Sequence, residues 1–115
     1  MRNYFPASVA TGDAIAVVAD EPDQMFVVQQ DSVGSNLVAA DLNLNANLIF
    51  GAGSTTTGVS GVEIDSSTGA ATATHQVRLI DFYDIPSNDA TANNSELVIK
   101  INNHSLNGGT GTVGL

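Results

Sequence analysis

Short apolar runs with a period of two, separated about every ten positions by clusters of Gly, Asn and Ser, organise the chain and predict many short strands. "AIAVVA" (14–19) and "QMFVVQQ" (24–30) flank "DEPD", where Pro22 removes a ladder hydrogen bond and marks a turn, so the pair reads as a hairpin. In "DLNLNANLIF" (41–50), Leu42, Leu44, Ala46 and Leu48 alternate with Asn43, Asn45 and Asn47, as in a half-buried strand; a helical start at "VAADL" (38–42) is the competing reading. "GAGSTTTGVSG" (51–61) is a loop by its glycines. "VEIDSSTGAATATHQVRLIDFYDI" (62–85) predicts a short strand, a turn over 66–69 and then the longest strand of the chain. "PSNDATANNS" (86–95) is a polar loop, and in "ELVIKIN" (96–102) Leu97, Ile99 and Ile101 share one face.

No convincing helix of more than two turns, no internal repeat and no linker interrupts this pattern. Val, Ile and Thr supply 29 of the 115 residues, which fits strands. The expected architecture is all-β, a small antiparallel β-barrel or β-sandwich over residues 13–106, with an extended N-terminal arm (1–12) and a Gly-rich C-terminal tail (107–115). The length is that of one domain with a real core. Without cysteine, neither disulfides nor a thiolate metal site holds it, and hydrophobic packing must carry the fold.

Charge narrows the partners. Twelve acidic residues against three basic ones (Arg2, Arg78, Lys100) give a net charge of -9, which repels phosphate backbones and anionic lipid headgroups. No nucleic acid and no membrane is expected as partner. Only 13% of the residues are charged while 43% are hydrophobic, so much of the surface must be neutral polar or apolar. That favours a chain partly buried in an assembly, although a neutral polar surface explains the composition as well. The longest apolar run, 14–19, is too short to span a bilayer, and residues 1–20 show no hydrophobic stretch leading to a small-residue cleavage site.

Candidate chemistry is thin. Asp20, Glu21 and Asp23 crowd one turn but lack the ligand and glycine spacing of a calcium loop, so a solvated acidic turn is the simpler account. Glu63 and Asp65 share a strand face, as solvent-facing pairs commonly do. A triad of Ser66, His75 and Asp81 can be drawn, yet no spacing supports it, and His75 and His104 read as surface or interface histidines. "GAGSTTTG" lacks the lysine of a phosphate-binding loop. Asn93-Asn94-Ser95 and Asn103-His104-Ser105 match the glycosylation triplet without a secretory signal beside them. Phe26, Phe50 and Phe82 lie inside strand-like runs and are expected in the core. No catalytic, cofactor-binding or metal residue is assigned.

Two stretches carry interface character instead. In "MRNYFPAS", Arg2, Tyr4, Phe5 and Pro6 precede any strand signal and have the Arg and aromatic composition of interface anchors, with a frayed terminus as the plain alternative. At the other end, Asn107-Gly108 signals a turn, and "GTGTVGL" is too poor in strand formers to hold a hairpin alone. Such a segment gains most by adding to a sheet edge, where main-chain hydrogen bonds give affinity without large side chains. Residues 109–115 are expected to reach a sister subunit, with His104, Leu106, Thr110, Thr112, Val113 and Leu115 near the interface; packing back on its own sheet is the alternative.

"VVADEPDQMFVVQQDS" (17–32), "LNANLIFGAGSTTTGVSGVEIDSST" (44–68) and "INNHSLNGGTGTVGL" (101–115) together resemble a family of small virion proteins of tailed bacteriophages, encoded near the major capsid protein and taken as head decoration or cement proteins. The resemblance covers most of the chain. It implies a β-tulip-like domain with extended termini, a homotrimer, binding to the major capsid protein on the outer capsid surface, and assembly of the virion in the host cytoplasm. It implies no enzyme, no cofactor and no active site. A phage tail or surface module that recognises a host receptor or glycan is the alternative from a different class.

Overall fold

The computed structural model describes residues 15–115, together with Ala10 and Gly12. Among the described residues, five strands form one antiparallel sheet: β1 (Met25–Gln29), β2 (Asn45–Gly51), β3 (Gly61–Ala70), β4 (Val77–Phe82) and β5 (Glu96–Ile101), in the order β1-β5-β4-β2-β3. The all-β expectation holds. The sheet curls until its two edges touch, where Gln30 bridges Ile64 in parallel and Asp31 N donates to the Ile64 carbonyl. It is therefore one sheet bent towards a barrel and not a pair of facing sheets.

The concave side holds the core of Leu37, Ala46, Ile64, Val77, Leu79, Leu97 and Ile99, with Phe26, Val28, Leu48 and Phe82 packed around it. Alternation decides which side chains arrive there. Leu97 and Ile99 point inward from β5 and Ile101 is half-buried, as their period of two predicts. In β4, Val77 and Leu79 point inward, and an extra residue between Leu79 and Asp81 then shifts the phase. That bulge puts Asp81 opposite Val98 and Phe82 opposite Leu97, so Phe82 reaches the core and Asp81 stays exposed.

Several sequence expectations are corrected. Residues 15–19 of the first apolar run do not pair with β1, whose partner is β5, some seventy residues on in the chain. The alternating run from 41 starts as a 3-10 turn at Ala39–Asp41, and Asn43 has a φ of 69°, which breaks the strand before Asn45. Asn43 and Leu44 are instead clipped to Leu79 by main-chain bonds in both directions. The turn expected over 66–69 lies inside β3, which has ten residues and is the longest strand. Its Ser-Ser-Thr-Gly signal appears as an irregularity: the ladder with β2 jumps between Asn45 opposite Ala70 and Asn47 opposite Asp65, and the Thr68 hydroxyl accepts the Asn47 N–H left over. Phe50, expected in the core, is 68% exposed. β4 pairs with β2 only at Asn45 and Ala46, so the far end of the β2–β3 ribbon extends beyond the sheet with nothing packed over Phe50.

Candidate interaction surface

The tail is built onto the sheet by three polar side chains. Asn45 and Arg78 face each other across β2 and β4, and Asn102 follows β5 directly. Asn45 Nδ2 donates to the carbonyls of Thr72 (3.0 Å) and Thr112 (2.8 Å), while its Oδ1 accepts from Arg78 Nε at 3.2 Å. The Arg78 guanidinium also donates to the Thr112 carbonyl and hydroxyl and to the Val113 carbonyl, the last at 2.6 Å. Asn102 Oδ1 accepts from Thr112 N, and its Nδ2 donates to the carbonyls of Ala73 and His75. Both asparagines are buried, and these bonds satisfy them.

The tail thus closes against its own chain. Gly114 N donates to the Ala71 carbonyl and Leu115 N to the Asn43 carbonyl. Within the single chain, main-chain groups of residues 109–115 that were expected to meet a sister subunit's edge are bonded to the same molecule, as in the alternative of packing back on its own sheet. Close approach is what the glycines permit. A Cβ on Gly111 would run into the Ala73 carbonyl and the Asn102 amide, and one on Gly114 would meet Asn43 O and Leu44 Cα at 3.0 Å. The Asn107-Gly108 signal forms the end of a 3-10 turn over Ser105–Asn107, where Gly108 takes a φ of 84° and Gly109 N returns to the His104 carbonyl.

The remaining interface candidates fall as follows. His104 Nδ1 accepts from Leu106 N at 3.1 Å and caps its own turn. Thr112 and Val113 meet at Arg78, but the side chains of Leu106, Thr110, Val113 and Leu115 are exposed. Arg2, Tyr4, Phe5 and Pro6 lie outside the described residues. Sequence reading missed Asn45, Arg78 and Asn102 as anchors; the one available signal was a lone arginine in the middle of a strand of an acidic chain.

The groups weighed for chemistry have structural partners. Ser66 donates to Asp31 Oδ1 at 2.8 Å, and His75 Nδ1 lies 3.4 Å from the Asn45 carbonyl, so neither is aimed at the other. Glu63 accepts from Gln29 Nε2, and Asp65 accepts from Ser67. Lys100 Nζ donates to Asp23 Oδ1 at 2.6 Å, and this bond and its attraction hold the Asp23 carboxyl below its ordinary value. Burial raises the Asp31 carboxyl, but bonds from the Ser66 and Val33 amides and the Ser66 hydroxyl outweigh it and leave a net lowering. Among the described residues, no group of three or more His, Asp or Glu could hold a metal ion, and no helix is long and apolar enough to cross a membrane.

The described surface carries many bare apolar side chains, among them Ile15, Val17 and Val18 ahead of β1, Val33 in a loop, Leu106 in the 3-10 turn, Phe50 and Val59 at the ribbon end, and Val113 and Leu115 on the tail. No known protein family, curated protein or solved structure matches this chain.

Proposed function

We propose that this chain is a capsid decoration protein of a tailed bacteriophage, a non-enzymatic trimer that binds the outer surface of the assembled head and bridges neighbouring major capsid subunits. The observation that carries the reading is the exposed apolar surface on a sparsely charged, acidic domain. Phe50 and Val59 at the ribbon end and Ile15 and Val17 ahead of β1 are large apolar side chains in water, and exposed apolar surface of this kind marks sites that a partner covers. The net charge of -9 keeps the outward side soluble and disfavours nucleic acid and anionic membranes as that cover. The resemblance of the strings at 17–32, 44–68 and 101–115 to cement proteins is the ground for proposing a capsid shell as that cover.

In this reading "MRNYFP" adds an anchor, with Tyr4 and Phe5 in a shallow pocket of the major capsid protein and Arg2 against an acidic group. Buried anchors of this kind cost about 2 kcal/mol or more on truncation. Copy number tests the function. Purified particles should carry the chain in amounts comparable with the capsid protein, and a few copies per particle would point to a tail or receptor-binding module instead. The Tyr4→Ala, Phe5→Ala double variant should lose affinity for heads, and unchanged decoration would remove the arm from the interface.

A further inference from the structure

Among the described residues, the segment 15–20, Ile-Ala-Val-Val-Ala-Asp, and the outer edge of β1 each lack a partner, and each has what the other needs. The segment makes no main-chain hydrogen bond among the described residues, and Ile15, Val17 and Val18 are 93%, 88% and 72% exposed. A β-branched run with unpaired amides is a strand without a sheet. On β1, every described ladder bond goes to β5, and the other edge meets β3 only at its end, where Gln30 bridges Ile64. Among the described residues that edge is open from Met25 to Val28, and the outward side chains of Met25 and Val27 are about half exposed.

Residues 21–24 connect the two. They form a turn closed by Gln24 N donating to the Glu21 carbonyl at 3.0 Å, with Pro22 fixing its φ. A hairpin across this connection would pair Asp20 with Met25, Ala19 with Phe26, Val18 with Val27 and Val17 with Val28. In the folded chain it is open. Exchange between copies re-creates the same pairs and needs no new complementarity, and a short, stiff connection favours exchange over closure within the chain.

We propose that residues 15–20 dock as an added strand on the β1 edge of a second copy of this chain, in that antiparallel register. Val17 and Ala19 then extend the inward row of Phe26 and Val28, and Val18 covers Val27 on the outward side. Asp20 lines up across the sheet with Met25 and Lys100, which brings the segment's one charge to the side of the only lysine. The pairing ends at Val28 because the edge itself closes at Gln30. The exchange concerns contacts between copies and holds whether or not the chain decorates a head.

The chain has no cysteine, so disulfide trapping reads the register directly. Val18 and Val27 are exposed, and Cys at either leaves the core intact. Under mild oxidation, a mixture of Val18→Cys protein and mass-tagged Val27→Cys protein should give a disulfide-linked heterodimer, and the double variant should give linked oligomers on a non-reducing gel. Closure of the double variant into a disulfide-bonded monomer overturns the proposal, as does failure to form any disulfide. Val18→Cys mixed with tagged Ser54→Cys, a loop position away from the β1 edge, should link far less; an equal yield would also overturn it.

Discussion

Asn102 shows how one buried side chain can join three segments. Its amide connects the end of β5 to the 71–76 loop and to the tail, and all of its bonds go to main-chain groups or to Thr112. Asn102→Ala leaves the Ala73 carbonyl and Thr112 N without partners, and unmet buried groups of this kind cost about 1–3 kcal/mol. Chemical denaturation should show a loss of that size, and a change within error would mean that the tail repacks around the gap. Asp31 supplies a pH-dependent counterpart. Its folded carboxyl is lowered, so its stabilisation is present above the ordinary aspartate value and is lost as the pH falls from there through the lower value of the folded state. The stability gap between the native protein and Asp31→Asn should therefore be widest near neutrality and shrink as the pH drops below the ordinary aspartate value of about 4. A gap constant over that window would remove the ionised carboxylate from the account.

Among the elements, the tail depends on backbone proximity and not on side-chain bulk. Thr112 contributes hydrogen bonds, while Val113 and Leu115 are exposed and bury little. Gly111→Ala must push the tail away from Ala73 or shift the 71–76 loop, and overpacking of this kind costs about 1–3 kcal/mol. Hydrogen exchange should then speed up at Thr112, Gly114 and Leu115, whose amides are bonded in the native fold. Unchanged exchange at these three would show that the tail is held by something other than close approach. The bulge in β4 works at the same scale. One inserted residue allows a strand that begins with Val77 and Leu79 inward to end with Phe82 inward, without placing Asp81 in the core.

For the whole molecule, charge is the dominant global term. A net charge of -9 is opposed by few cations, and among the described residues the ion pair is Lys100 with Asp23, largely exposed. Exposed pairs contribute little, whereas the like charges repel one another across the entire surface. Added sodium chloride screens that repulsion, since the Debye length falls from about 30 Å at 0.01 M to about 8 Å at 0.15 M. The melting temperature should rise over this range. A fall would mean that attractive pairs outweigh the repulsion. The same screening should strengthen contact between copies, because every copy carries the same acidic surface.

The sequence by itself determined the fold class, the loops read at 51–61 and 86–95, the first of which gives up Gly51 and Gly61 to β2 and β3, and the inward face of β5, because these follow from local period and from turn residues. It did not determine which strands are neighbours. A period of two says which side chains share a face but not what lies beside it, so β1 was read with the run next to it when its ladder goes to β5. The turn residues at 66–69 were legible as an interruption, but only pairing with β2 decided that the strand continues through them. Asn45 was least legible of all: it alternates like an outward polar residue, and only the arrival of Thr72, Arg78 and Thr112 from distant parts of the chain makes its burial possible. Polar burial depends on partners that tertiary structure supplies, and the direction of the tail depends on that same set of bonds.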